Sequence, residues 1–405
     1  MADSPMDEPS DQEPTGFLTV DDRFIPVRAE DLAEVLARDV ETFGPHAGAL
    51  SAIAEAVTLV IDQEVGTFER ELAHAYAPFN PDRDTLVMPG DEPSGEDGEA
   101  NELMNMLENL LWQANFEEMD DDQLVAAIQA ANSHGMRIRL DPERVRILRV
   151  WVRGHGIATQ SRRPWRRPWT KESFEVPVLK RLVVAVRMRA SPYVMLKLFK
   201  EIPISDLESL LPHAKVKMSP REMVKLAATG SGAIWTLAFK IITTGLAAAG
   251  HILYLVAVPL LALTWKTFSG YKRAIKDRDS ERTKNLYFQN LANNASAIHM
   301  LATVVAQSEV KEALLAYAFC LAHKAEGERG ALVDDLDQIV EAYLKATFDV
   351  DVNFDMPDAL ETMDRLGLWE DRGRLGVVPP EQALALLETH RLERRSADYH
   401  AGVVE

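Results

Sequence analysis

The sequence predicts an α+β fold that is mostly helical, with a small β-sheet domain in the middle, a two-helix transmembrane hairpin and a winged-helix-like C-terminal module. Three patterns predict it. Apolar residues recur at helical spacing up to about residue 131, alternate with a period of two after Gly135, and fill residues 227–268 almost without interruption. These changes divide the chain into an acidic disordered tail (1–20), a helical N-terminal domain (21–133), a basic α+β domain (134–226), the transmembrane hairpin (227–269), a helical region (270–348) and the winged-helix-like module (349–405).

Charge is distributed unevenly along the 405 residues, whose formal net charge is −19. Residues 1–133 contain 5 basic and 31 acidic side chains, whereas residues 134–230 contain 21 basic and 8 acidic ones. A basic middle third predicts a surface that faces phosphates or an acidic intramolecular partner. The overall sign argues against nucleic acid as a partner. Because Cys320 is the only cysteine, an intrachain disulfide and a Cys-rich zinc module are excluded.

The spacing of apolar residues predicts different secondary structure on the two sides of residue 134. Before it, apolar residues spaced by three and four predict helices between Phe24 and Ala131. After it, apolar residues alternate with arginines, as in half-buried strands. Strands are expected at 136–140, 145–152, 176–188 and 193–199, followed by a short helix at 205–211.

The prediction of a transmembrane hairpin depends on residues 227–268. Their only ionisable side chains are Lys240, His251 and Lys266. One helix of this length would be about twice as long as the hydrocarbon layer is thick, whereas two helices joined near Gly250 fit it. The alternative is a buried helical hairpin in a soluble protein.

Flanking residues predict the orientation of this hairpin. Trp235 and Trp265 each lie 15 residues from Gly250, so a hairpin places both in one interfacial belt as anchors. Basic residues cluster at 215–225 and 266–278, outside the turn. The positive-inside rule then predicts a multi-pass protein of the cell inner membrane with both termini in the cytoplasm.

The C-terminal third is expected to be helical at 301–310, 312–325 and 332–347, and then to end in a helix, a Gly-containing hairpin and a helix, the outline of a winged-helix module. Its presumptive recognition helix, 356–366, carries Asp358, Glu361 and Asp364 against Arg365 alone. Phosphate would repel that face, so a protein partner is expected for this module.

The strongest candidate for function is a basic aromatic segment. Guanidinium groups bind phosphates, and indole rings suit the headgroup layer. Pairing of these arginines with the acidic N-terminal domain, or binding of single-stranded RNA, are the alternatives. The candidate lipid- or anion-binding residues are Arg162, Arg163, Trp165, Arg166, Arg167 and Trp169.

Lys240 and His251 are the candidate intramembrane polar residues. Lys240 lies near the middle of the first predicted helix, where a charge marks either a polar path or a side chain that reaches back to the interface. The small residues of 245–249 permit close helix packing, which is weak support for a homo-oligomer.

No constellation of residues predicts catalysis, and no metal or cofactor is expected. Cys320 and His323 supply two ligands at most, which is not a zinc site. Asp349 and Asp351 resemble the start of a calcium loop, but its glycine and its final glutamate are absent. The chain is therefore expected not to be an enzyme.

Six stretches of the sequence together carry a resemblance to a known family; they are 23–28, 76–85, 198–212, 215–219, 285–294 and 311–317. They resemble a family of uncharacterised membrane proteins, the one that includes the mitochondrial transmembrane protein 143. The resemblance implies two transmembrane segments after residue 219 and brings no established activity. Because this chain lacks an Arg-rich leader, a bacterial inner membrane is expected.

Together these patterns predict an integral inner-membrane protein that acts as a non-enzymatic scaffold or a sensor of anionic lipid surfaces. The alternative is a subunit of an oligomeric channel or transporter that uses the transmembrane hairpin.

Overall fold

The computed structural model describes residues 23–86, 97–120, 122–124, 136–139, 144–162, 172–204, 207, 215–218, 288–322, 329–371 and 375–401. Helices predominate among them, as predicted. They are α1 (Ala29–Arg38), α2 (Val40–Phe43), α3 (Ala47–Tyr76), α4 (Asp97–Gln113), α5 (Asn294–Ala322), α6 (Arg329–Phe348), α7 (Met356–Arg365) and α8 (Pro380–Ala401).

The predicted strands are confirmed, and three of them, β3, β4 and β5, are longer than expected. The strands are β1 (Glu117–Glu118), β2 (Met136–Arg139), β3 (Val145–Arg162), β4 (Glu172–Met188), β5 (Val194–Pro203), β6 (Lys215–Met218), β7 (Asn290–Asn293), β8 (Trp369–Asp371) and β9 (Gly376–Val377). An antiparallel sheet has the order β1-β3-β4-β5-β7, and β2 pairs with β6. The tail 1–20, most of the predicted helix 205–211 and the predicted hairpin 227–269 lie outside the described residues.

Helix α5 is the central element of the helical layer. It packs against α3, α7, α4 and the sheet, and every residue from Ser308 to Cys320 is buried. The sequence predicted two separate amphipathic helices here, 301–310 and 312–325. One continuous helix forms instead. Its first half keeps an exposed stripe at Ser296, His299 and Thr303, whereas neighbours cover its second half on all sides.

The two faces of the sheet belong to different apolar clusters. Trp151, Val183 and Leu198 face the helical layer and join the main core. Val152, Leu182 and Val184 face the other way, into a smaller cluster closed by Met119 and Leu124. A strand buried on both faces accounts for the continuous run of apolar residues at 182–186.

One described helical stretch, Val40–Phe79, is long and apolar enough to cross a membrane by length and composition. In the structure it contains α3, which packs against α5, α1 and α8 and carries the buried Glu64. A core helix satisfies the same criteria of length and composition, so this stretch is weak support for a membrane location.

The C-terminal region shows the predicted order of helix, antiparallel β8–β9 hairpin and helix. It does not have a core of its own. Leu360, Met363 and Leu387 belong to the main cluster, because α7 packs on α5 and α8 packs on α3. The winged-helix character of the region stays a prediction.

Candidate functional site at the hairpin end of the sheet

The β3–β4 hairpin extends beyond the rest of the sheet. β3 and β4 stay paired as far as Arg162 and Glu172, whereas β5 pairs with β4 only as far as Val178. Residues 156–162 and 172–178 form what we call the outer hairpin. Beyond Val178, which pairs with Pro203 of β5, its strands pair only with each other among the described strands. At about 3.3 Å per residue, six residues carry it about 20 Å beyond β5.

The structure describes one of the six predicted lipid-binding residues, Arg162, at the end of β3. The other five lie outside the described residues, in the stretch of sequence that joins Arg162 to Glu172; they are Arg163, Trp165, Arg166, Arg167 and Trp169. The predicted intramembrane residues and interfacial anchors also lie outside the described residues; they are Lys240, His251, Trp235 and Trp265. What the structure adds is the location of the two strand ends between which 163–171 runs.

The chain that follows the apolar segment returns to the same end of the sheet. Asn290 pairs with Phe199, and Gln289 Nε2 donates to Glu201 O at 2.8 Å. Since β5 runs toward the outer hairpin and β7 is antiparallel to it, the residues before β7 approach from the hairpin side. The outer hairpin and the first described residues after the apolar segment, 288–290, therefore share one end of the sheet.

A groove of about 840 Å³ lies at the base of the outer hairpin. Its lining includes three cationic side chains of the sheet, Arg153, Lys180 and Arg181. Gly154 has a φ of 66°, a left-handed value that favours glycine. On β4, which pairs with this part of β3, side chains also stop alternating regularly between the two faces of the sheet. Leu179 and Leu182 are three residues apart, yet both lie in the smaller apolar cluster.

The N-terminal segment 23–28 forms one wall of this groove and is fastened to three elements. The Phe24 ring lies between the Arg153 guanidinium at 4.1 Å and the Lys311 ammonium at 4.5 Å. Lys311 Nζ donates to Ile25 O at 2.6 Å, and Arg23 Nη1 pairs with Asp355 Oδ2 at 2.7 Å. A desolvated cation over an aromatic face stabilises by about 2 kcal/mol, so the segment is held firmly.

Two neighbouring charged residues of α5 lie buried beneath this wall. Burial lowers the pKa of Lys311 to about 8, an effect that nearby Glu312 opposes and Arg153 reinforces. Burial also raises the pKa of Glu312 to about 8, and Asp358 adds to that rise. Asn115 Nδ2 donates to Glu312 Oε1 at 3.1 Å, a hydrogen bond that this oxygen can accept in either protonation state of the carboxyl group.

A polar node joins α3, the sheet and the start of α5. Leu196 N donates to Asn294 Oδ1 at 3.0 Å, and the Tyr76 hydroxyl donates to Val194 O at 2.8 Å. Asn294 Nδ2 also donates to Asp82. Asn294 has a φ of 50°, which asparagine tolerates better than most residues.

A second buried network ties the C-terminal helices to α3 and α5. Arg365 of α7 pairs with Glu64 and, at 2.6 Å, with Glu309 Oε2. Arg394 Nη2 of α8 lies 2.8 Å from Glu64 Oε1. Burial raises the pKa of Glu309, and Arg365 opposes the rise. This network is fully engaged in holding helices together, which indicates a structural role.

Among the described residues, no group of three His, Cys, Asp or Glu side chains is placed to hold a metal ion. Cys320 is buried, and burial raises the pKa of its thiol to about 12, so it is unreactive at neutral pH. Asp349 and Asp351, the residues that resembled a calcium loop, instead bind Lys345 Nζ at 3.1 and 2.8 Å.

Sequence reasoning did not predict the groove or either polar network, although some of their residues lie in the stretches that carry the resemblance. The segment 23–28 meets 311–317 at Lys311, and 76–85 meets 285–294 at the polar node. One local signal was available. Lys311 and Glu312 directly precede the apolar run 313–322, and charged residues are rarely buried without a specific role.

The middle of the chain matches a protein-family model. Residues 171–296 match a family described as a protein of unknown function, DUF3754. The matched stretch contains β4, β5, β6 and β7 together with the predicted transmembrane hairpin. No solved structure matches the chain. The resemblance to transmembrane protein 143 stays a prediction.

Proposed function

We propose that this protein is a membrane-bound, non-enzymatic scaffold or sensor of anionic lipid surfaces, and that the hairpin end of its sheet faces the lipid. In this proposal residues 227–269 form a two-helix anchor in the inner membrane of the cell and both termini are cytoplasmic. The basic aromatic segment 162–169 then touches the headgroups.

The observation that carries the proposal is the shared end of the sheet. The strand ends that flank 163–171 and the chain that returns from the apolar segment both lie on the hairpin side. In the proposal, a membrane anchored by 227–269 faces the tip of the outer hairpin. Clustered Lys and Arg at an anionic surface contribute about 1 kcal/mol each.

The exposure of the outer hairpin also supports this proposal. Ile157, Thr159 and Glu175 are exposed, and among the described elements no helix covers this part of the sheet. Closer to the core the arginines are engaged differently. Arg149 Nη1 pairs with Glu108 Oε2 at 2.7 Å, so pairing with the acidic N-terminal domain occurs at the base of β3.

The anchor is tested by alkaline carbonate extraction of membranes from cells that express the full-length chain. Retention in the pellet is expected if 227–269 spans the bilayer. Release into the supernatant would mean that this segment is part of a soluble core, and the proposal would lose its anchor.

Lipid contact is tested in reconstituted vesicles with a fluorophore on Ser161→Cys, next to the hairpin tip. Brominated phosphatidylglycerol should quench it more than brominated phosphatidylcholine does. The triple variant Arg163→Gln, Arg166→Gln, Arg167→Gln should lose that difference. A matched control, Arg144→Gln, Arg146→Gln, Arg189→Gln, removes the same charge from the opposite end of the sheet and should keep it.

The alternative, a channel or transporter subunit, depends on Lys240 and on association of several hairpins. Ion flux through reconstituted full-length protein that disappears in Lys240→Met would favour it. Equal flux in both proteins would reject it.

For the C-terminal region we propose a protein partner and no nucleic acid. Arg365, the only basic residue of α7, is already engaged by Glu64 and Glu309. The remaining charges of that helix are acidic, so phosphate would be repelled.

A further inference from the structure

We infer that the groove at the base of the outer hairpin binds a single phosphate-bearing amphiphile, such as a lysophospholipid, with its phosphate on the sheet. This inference rests on the proposed function, because it names the ligand that the lipid-facing end of the protein would recognise. The groove has the size of an ordinary small-molecule site and is open to solvent.

The floor of the groove supplies the charge for a phosphate. Lys180 is exposed, and Arg181 is half-buried beside it on β4. Arg153 is 5% exposed and held by Ala114 O at 3.2 Å, so its guanidinium is fixed in advance. Arg offers several N–H donors in a rigid plane, which suits phosphate oxygens.

The acidic residues of the lining lie on other elements. Asp349 and Asp351 follow α6, and Lys345 Nζ binds both carboxylates. Glu201 belongs to β5, where its backbone oxygen accepts from Gln289. Counting Lys345, the groove and its edge contain four cationic side chains and three carboxylates. The three cationic side chains of β3 and β4 lie together.

The rest of the lining supplies apolar contact for an acyl chain. Phe24, Pro26, Val178 and Val350 line the groove together with Ile157, whose side chain is 73% exposed. An exposed isoleucine next to clustered cations suits a ligand with a charged head and an apolar tail. Free inorganic phosphate would leave these apolar side chains unused.

The test uses full-length protein in phosphatidylcholine nanodiscs and three probes. The probes are a radiolabelled short-chain lysophosphatidic acid below its micelle concentration, inorganic phosphate, and a monoacylglycerol of the same chain. Saturable binding is expected for the lysophosphatidic acid alone. Equally tight binding of phosphate or of the monoacylglycerol would overturn the inference, because head and tail would not both be recognised.

Two variants locate the binding. The double variant Lys180→Gln, Arg181→Gln should weaken it at least tenfold, whereas Lys197→Gln on the neighbouring strand should leave it unchanged. Gly156→Val adds apolar bulk beside Lys180 without changing charge, since a Cβ there would lie 3.4 Å from Lys180 Cε, and it should also weaken binding. Undiminished binding in both groove variants would overturn the inference, and circular dichroism would confirm that each is folded.

Failure of this inference can be distinguished from failure of the proposed function. Loss of groove binding with intact quenching at Ser161 would reject only the inference. Groove binding that persists while the label at Ser161 is not quenched would reject the lipid-facing hairpin and leave the groove as a site for soluble amphiphiles.

Discussion

The surroundings of α5 and the outer hairpin use charged residues in opposite ways. Around α5, Glu64, Glu309 and Glu312 are more than nine-tenths buried, and each has a partner that offsets its loss of water. On the outer hairpin, Ile157, Thr159 and Glu175 are exposed, and beyond Val178 the two strands pair only with each other among the described elements. Buried polar groups in the first region stabilise one arrangement of helices, whereas these exposed side chains in the second are accessible to a partner.

This difference has a physical basis. A buried carboxylate is tolerated only when hydrogen bonds and opposite charges replace its hydration, so the contacts around α5 must be made within the chain. An arginine in water needs no such partner. We therefore expect substitutions near α5 to change stability and substitutions on the hairpin tip to change lipid binding alone.

The largest effect is expected for Arg365→Leu. The substitution leaves Glu64 and Glu309 buried with less compensating charge, which should lower the free energy of unfolding by about 3–5 kcal/mol. Urea denaturation in mild detergent measures it. The matched control Arg38→Leu removes an exposed pair with Glu34 and should cost no more than about 0.5 kcal/mol. Equal costs for the two would contradict a structural role for the buried network.

A smaller loss is expected for Asn294→Ala. It removes the acceptor of Leu196 N and the donor to Asp82, and it places alanine at a positive φ. The free energy of unfolding should fall by about 2 kcal/mol. The neighbouring Asn293→Ala, at an exposed position, is the control. If neither substitution changed the free energy of unfolding, the polar node would contribute nothing to stability.

The third effect depends on pH. Because burial raises the pKa of Glu312 to about 8, the folded protein keeps a proton that the unfolded chain has lost above the ordinary pKa of a glutamate. The folded state then binds more protons than the unfolded state, so stability falls as pH rises from about 5 to about 8. Glu312→Gln should remove more than about 1 kcal/mol of that decline, as thermal unfolding at both pH values would measure. The same slope in variant and parent would show that Glu312 is ionised when folded.

The smallest effect on stability is expected at the hairpin tip. The triple variant Arg163→Gln, Arg166→Gln, Arg167→Gln should unfold within about 1 °C of the parent, because surface substitutions rarely exceed about 0.5 kcal/mol. Differential scanning calorimetry tests this. A large drop would show that these arginines are engaged within the protein, which is the intramolecular alternative.

The sheet was largely predictable from the sequence, because alternating apolar residues signal half-buried strands. The outer part of β3 was not predicted. After Trp151 the sequence passes through Gly154, His155 and Gly156, which interrupt the alternation, and the strand continues only because β4 pairs with it. β7 was missed for a similar reason, since its polar residues become a strand only at the edge of β5.

The candidate site was predictable only in its charge. The excess of arginine and lysine in the middle third pointed to the sheet, but the groove joins Phe24, Arg153 and Asp351 from three distant parts of the chain. The node at Asn294 likewise joins residues more than 200 positions apart. Contacts over such distances depend on tertiary packing, which a local pattern does not encode.

The most direct test of the central claim compares the two ends of the sheet. Ser161→Cys lies next to the hairpin tip, and Ser191→Cys lies in the β4–β5 turn at the opposite end. The buried Cys320 should resist thiol reagents, so each variant can carry one fluorophore. In vesicles of brominated phosphatidylglycerol, the account predicts strong quenching at residue 161 and little at residue 191. Equal quenching at both positions, or stronger quenching at 191, would contradict a lipid-facing hairpin.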